Sequence, residues 1–182
     1  MQAPPRDDVR VVAERPEQTP AVRTVVRAAF EHHVAVADLV DLVRASPEYL
    51  PELALVALHG DEVVGFVMVS RIDLVEHDGT RHRALTLSPL AVAPDRQGRG
   101  VGGRLVRAVL ARAATTDEPL VTLEGSPRYY PRFGFRPAGD VGVSIDLPHW
   151  APPEAAMVHL LPGYRPEVRG RVAYPPAFSH LD

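Results

Sequence analysis

The chain has 182 residues, 46% of them apolar and 24% charged. That is enough hydrophobic material for one core, and one domain over residues 1–182 is the default. A net charge of −3 supplies no basic field for nucleic acid, and the absence of cysteine excludes disulfides, thiolate metal ligands and a covalent acyl-cysteine intermediate.

All basic side chains other than histidine are arginine, and they are scattered rather than clustered. No stretch approaches the ~18 apolar residues of a membrane span. Met1–Asp8 carries charges and two prolines where a signal peptide would have an apolar run. A cytoplasmic location away from membranes is the expectation.

In chain order, residues 1–7 read as a loose leader and Val9–Ala13 as a short strand. Glu17–Phe30 places Ala21, Val22, Val25, Val26, Ala29 and Phe30 at spacings of three and four, which predicts a helix. Val36–Ala45 repeats that pattern with Leu39, Val40, Leu42 and Val43 and ends at Ser46-Pro47. Leu53–Leu58 and Val63–Val69 are β-rich runs joined by His59-Gly60-Asp61-Glu62, a hairpin pattern. Asp78-Gly79 marks a second tight turn between Ile72–Val75 and a strand starting near Arg81.

Leu85–Val92 follows as a strand, then a helix from Val101, then the uninterrupted apolar strand Leu120–Leu123, expected at a central buried position. A short helix, strands at Val141–Leu147 and Ala156–Leu161, and a proline-rich loop at 148–153 complete the pattern. The tail, 164–182, reads as irregular chain. The fold class is therefore α/β or α+β, a sheet with helices on both faces.

The strand before the second half of the chain changes phase. Leu85 and Leu87 point one way; after Pro89 the apolar positions become Leu90 and Val92. A one-residue shift is the trace of a β-bulge, and a proline, which cannot donate to the ladder, belongs at a bulge or an edge. A strand that simply ends at Ser88 and restarts is the plainer alternative. A splayed strand would free backbone groups to pair with an extended ligand such as a pantetheine arm.

Next comes Gly98-Arg99-Gly100-Val101-Gly102-Gly103, opening a helix whose Val101, Leu105, Val106, Val109, Leu110 and Ala113 share one face while Arg104 and Arg107 lie opposite. Glycine in a helix costs about 1 kcal/mol per interior position. Its density here fits close approach of a ligand to backbone N–H groups at the positive end of the helix dipole. A tight connection with no ligand is the structural alternative. Gly98, Gly100 and Gly103 also satisfy G-x-G-x-x-G, the dinucleotide fingerprint, but Ala93–Gln97 separates them from the strand and the serial βαβ units of a doubly wound sheet are missing. No Gly-Lys-Ser/Thr follows, which excludes a P-loop.

Gln97-Gly98-Arg99-Gly100-Val101-Gly102 resembles the coenzyme A signature Gln/Arg-x-x-Gly-x-Gly/Ala of the Gcn5-related N-acetyltransferase (GNAT) superfamily. Leu90-Ala91-Val92-Ala93-Pro94 resembles the end of that family's bulged fourth strand. Tyr129-Tyr130-Pro131-Arg132-Phe133-Gly134-Phe135 is similar to its aromatic-Tyr-x-x-x-Gly-Phe element. With Ser88–Val92 and the ending Arg171–Phe178, the chain resembles the YhbS-like subgroup, strongly from about Leu85 onward.

The resemblance implies a single GNAT-like domain with a mixed, mostly antiparallel twisted sheet whose fourth strand is bulged and splayed. It also implies direct transfer of acetyl from acetyl-coenzyme A (acetyl-CoA) to an amine. Gln97, Gly98, Arg99, Gly100, Val101, Gly102 and Gly103 would hold the pyrophosphate, with Leu90, Ala91 and Val92 guiding pantetheine and stabilising the oxyanion.

Tyr130 matches the family's proton donor to the leaving thiolate; Tyr129 reads as packing. Glu124 is the best candidate base, with His82 or a water chain as alternatives. The asparagine that the family often carries before the tyrosine is missing from Leu123–Arg128.

The expected partners are acetyl-CoA and an amine acceptor, without nucleic acid, membrane or metal; a homodimer stays open. An acyl-CoA sensor without turnover is the competing class. Trp150 is expected to pack in the core or a flap, or else to line the acceptor pocket. Asp38, Asp41 and Glu48 read as a solvated helix face or as recognition of a cationic acceptor.

Overall fold

The computed structural model describes residues 8–181; the leader at 1–7 and the last residue of the tail lie outside the described residues. The strands are β1 (Arg10–Ala13), β2 (Ala54–His59), β3 (Glu62–Val75), β4 (Arg81–Val92), β5 (Leu120–Glu124), β6 (Arg136–Pro137), β7 (Val143–Ser144), β8 (Ala156–Leu160) and β9 (Gly170–Ala173). The helices are α1 (Thr19–Ala29), α2 (Ala35–Arg44) and α3 (Val101–Ala113).

The sheet runs β1-β2-β3-β4-β5-β8-β6, with β9 pairing to β3 and β7. Only β4–β5 and β7–β9 are parallel, so the sheet is mixed and mostly antiparallel, as expected.

Alternation along the strands divides the core into two layers. Leu55, Val67, Val69, Leu85, Leu87 and Val121 meet Val101, Leu105, Val106 and Val109 of α3. On the other face, Val56, Phe66 and Met68 meet Val22 and Val26 of α1 and Leu39, Val40 and Val43 of α2. Of the residues predicted for the apolar faces, Val22, Val25 and Val26 of α1, Leu39, Val40 and Val43 of α2, and all six of α3 are buried, whereas Ala21 and Leu42 are exposed.

The phase change is a bulge. Val67 pairs with Leu90 and Val69 with Leu87, so Ser88 and Pro89 together stand opposite Met68. Leu85, Leu87, Leu90 and Val92 all pack on the α3 side despite their change of parity, because one inserted residue restores the face. Beyond the bulge β4 has no partner on its β5 side: the parallel ladder holds only Leu85–Val121 and Thr86–Thr122. The two central strands therefore part at the ends that carry Leu90 and Glu124.

Three expectations are corrected. Val63–Val69 and Ile72–Val75 form one 14-residue strand, β3. Ser70 and Arg71 pair with Thr86 and Leu85, so the ladder to β4 continues through the two residues between the predicted runs. Val141–Leu147 shrinks to Val143–Ser144. The tail is not wholly irregular: Arg171, Val172 and Ala173 pair with Val75, Leu74 and Asp73, extending the sheet along the half of β3 that β2 leaves open.

Candidate active site

β4 ends at Val92 and the turn Pro94–Arg96 leads into α3. Gly98 and Gly100 have φ of 75° and 88°, a left-handed backbone open to glycine at little cost. Gly100 caps the start of α3, and the first bond of the helix runs from Arg104 N–H to the Gly100 carbonyl. The N–H groups of the first turn have no helical acceptor and carry the positive end of the dipole.

A cleft of about 580 Å³ opens beside them. Leu90, Val92, Gln97, Gly98, Gly100, Val101, Gly102 and Gly103 line it, so eight of the ten residues read as cofactor-binding come together. Ala91 and Arg99 do not line it. Ala91 is 2% exposed and faces the α1/α2 layer, because strand alternation turns it away from its neighbours. The Gln97 side chain donates to the Val92 carbonyl at 3.0 Å and ties the turn to the strand end.

The floor of the cleft is narrow. A Cβ on Gly102 would lie 2.8 Å from the Tyr129 hydroxyl and 3.6 Å from Val92 Cγ2. Tyr129 is thus a wall of the cleft and more than packing; its ring meets Tyr130 and Phe133 edge-on at 5.0 and 5.2 Å. Burial raises its phenol pKa above the usual value.

Several lining residues were not anticipated from sequence. Ala29 and Phe30 at the end of α1 close one side, and Arg96, Arg107 and Arg132 bring positive charge. Arg107 sits over the Phe133 ring at 5.0 Å and Arg132 over the Tyr129 ring at 4.7 Å, which limits the freedom of both guanidinium groups. Arg107 had a signal, since it lies four residues after Gly103 and so on the same helix face. Phe30 had none, because only the packing of α1 on the sheet brings it there. Backbone N–H groups, a glycine floor and three arginines suit a phosphorylated ligand with a slender arm.

Tyr130 and Glu124 lie beyond the cleft lining, around the end of β5. Tyr130 Cε2 lies 2.5 Å from where a Cβ on Gly125 would be, so Gly125 is what admits the ring beside the strand end. Its ring also packs on Phe135 at 5.6 Å. Burial pushes the Tyr130 phenol up to about 12, so it stays protonated at neutral pH.

Glu124 accepts a hydrogen bond from the Tyr174 hydroxyl at 2.8 Å. Its carboxyl pKa is raised, chiefly by burial, with Asp146 acting in the same direction and Tyr174 against it. His82 is elsewhere: it bonds Glu76 at 2.7 Å near the opposite end of β4.

Asp38 and Asp41 are paired with Arg23 across the α1–α2 contact. Trp150 is 75% exposed, so the packing expected of it is not formed. Among the described residues no group of three or more His, Cys, Asp or Glu could hold a metal ion, and no helix is long and apolar enough to cross a membrane.

The bulged strand, the splay and the glycine-floored cleft at a helix start are the architecture that the GNAT resemblance implies. Residues 10–138 match the acetyltransferase (GNAT) domain family, and the chain belongs to it. It is 37% identical over 114 residues to the uncharacterized N-acetyltransferase YjhQ of Escherichia coli (strain K12); the match covers 62% of this chain and 62% of YjhQ, less than two thirds of that relative's length.

Among solved structures it is similar to the GNAT family N-acetyltransferase YhbS of Escherichia coli in complex with CoA, with a TM-score of 0.80 and 28% identity over 98% of this chain and 96% of that one. It is also similar to a GNAT family acetyltransferase of Brucella melitensis in complex with acetyl-CoA, with a TM-score of 0.76 and 28% identity over 95% of this chain and 99% of that one.

Proposed function

We propose that the protein is an N-acetyltransferase that moves an acetyl group from acetyl-CoA directly to an amine, the described chain acting as one catalytic unit. The observation that carries this reading is the lining of the cleft: it joins the N-terminus of α3 to Leu90 and Val92, the part of β4 that the parallel ladder to β5 leaves unpaired. The complexes of the two similar proteins with CoA and acetyl-CoA support the choice of donor.

The first-turn N–H groups of α3, with Arg96, Arg107 and Arg132, face the phosphates. The backbone of Leu90 and the N–H of Val92, which the parallel ladder to β5 does not reach, guide the pantetheine arm and donate to the thioester oxygen as it becomes an oxyanion.

Glu124 takes one proton from the ammonium form of the acceptor. The freed nitrogen bonds to the acetyl carbon, the carbon–sulfur bond breaks, and Tyr130 gives its proton to the departing sulfur. The resulting phenolate recovers a proton from the new amide nitrogen, and the proton on Glu124 goes to solvent, so one proton is released per acetyl transferred. The raised Tyr130 pKa keeps that proton in place before transfer and drives its recovery afterward.

The test is release of free thiol from acetyl-CoA with a panel of primary amines, together with Tyr130→Phe. Turnover that falls at least tenfold in the variant at unchanged acetyl-CoA affinity supports the reading. Tight acetyl-CoA binding with no thiol release from any amine would instead favour an acyl-CoA sensor.

A further inference from the structure

The C-terminal segment contributes to the acceptor side of the site. β9 pairs with the end of β3, and the chain then brings Tyr174 to the end of β5, where its hydroxyl donates to Glu124 Oε1 at 2.8 Å. The Tyr174 ring is itself held: it stacks on Phe178 at 5.0 Å with 25° between the planes. Phe178 is 7% exposed and belongs to the α1/α2 layer. Glu124 sits at an open strand end, where a free glutamate would sample several rotamers. Anchoring Oε1 fixes the carboxylate plane and leaves Oε2 without a partner among the described residues.

We propose that Tyr174 is a positioning residue that aims the Glu124 carboxylate at the acceptor amine and sets its proton affinity. This rests on Glu124 acting as the base.

The groups facing Glu124 come from three directions. Tyr174 arrives from the C-terminal segment, with the uncharged Thr86 hydroxyl of β4 beside it. Asp146 follows β7 and is held in a two-pronged pair by Arg171 of β9. Tyr130 lies against Gly125 and is neutral. Burial and Asp146 disfavour the charged carboxylate, and the Tyr174 hydrogen bond favours it. Removing that bond therefore raises the Glu124 pKa further, and the deprotonated base appears only at higher pH.

The experiment is a carbon-13 carboxyl NMR titration of Glu124 in the full chain, comparing wild type with Tyr174→Phe, which keeps the ring and its stacking. It needs no acceptor. The Glu124 midpoint is expected to move up by roughly 0.5–1 pH unit, as for loss of a charge-assisted bond at a partly solvated site. The acid limb of thiol release with the best amine of the panel moves in the same direction, and the plateau above it falls by about threefold or more, because a carboxylate released from Tyr174 samples other rotamers. Glu124→Gln removes that limb. An unmoved midpoint in Tyr174→Phe overturns the role of Tyr174 even if Glu124→Gln abolishes turnover. Full turnover in Glu124→Gln overturns the base itself, and the inference with it.

Discussion

Gly102→Ala separates stability from ligand binding. Gly102 lies in the first turn of α3, and its φ is not among the left-handed ones, so alanine is compatible with the backbone. Replacing a helical glycine stabilises by up to about 1 kcal/mol, less in a first turn, but the crowding described next opposes this gain, and the melting temperature is expected to hold or fall by up to about 8 °C for a chain of this size.

The new methyl, however, points into the cleft. It would meet the Tyr129 hydroxyl at 2.8 Å and approach Val92 Cγ2 at 3.6 Å and Leu90 Cδ2 at 3.8 Å. Tyr129 has to give way, which costs about 1–3 kcal/mol of stability in a packed aromatic group, and the methyl still occupies the passage along Leu90 and Val92. Acetyl-CoA affinity should then fall by roughly 5- to 150-fold, since about 1.4 kcal/mol is tenfold. Calorimetric titration with CoA and thermal melts of the same sample measure both quantities. Unchanged affinity in a variant that melts cooperatively would refute the placement of the ligand arm along this wall.

The same logic applies at Gly125. Gly125→Ala must displace the Tyr130 ring, whose Cε2 lies 2.5 Å from the new Cβ; turnover should fall by about tenfold or more, as expected for a misplaced proton donor, with acetyl-CoA affinity little changed. Calorimetry beside a thiol-release assay distinguishes this from general unfolding.

Arg44→Ala tests the sheet–helix junction: Arg44 pairs with Glu14, whose side chain is 3% exposed, and also lies over the Phe66 ring at 5.6 Å. Loss of the partner leaves a buried carboxylate and should cost about 3 kcal/mol at pH 7 in urea unfolding. Burial already raises the Glu14 pKa, so stability linked to this group is present below the usual carboxylate pKa and declines as pH rises through the folded value. Without Arg44 that folded value rises, so the deficit of the variant should be larger at pH 7 than at pH 5. Equal deficits at the two pH values would contradict this account.

Much of the candidate cleft was legible in the chain. The phase shift at Pro89, the glycines before α3 and the Tyr129–Phe135 run are local: a bulge, a left-handed helix start and an aromatic turn each leave a mark within about ten residues. The apolar faces of the three helices were legible for the same reason, since a 3.6-residue period is written in consecutive positions.

What only tertiary structure decided lies at long separations. β9 has a single buried residue, Val172, too little for alternation to reveal, and becomes a strand only because β3 offers an unpaired edge about 100 residues earlier. Phe30 and Arg132, 102 residues apart in the chain, come together in one cleft lining. Glu124 could be named as a strand-end carboxylate, but its hydrogen bond to Tyr174 joins residues 50 positions apart. Local sequence determines the helices, the bulge and the glycine-rich turn. The burial, partner and proton affinity of a side chain depend on what the rest of the chain packs against it.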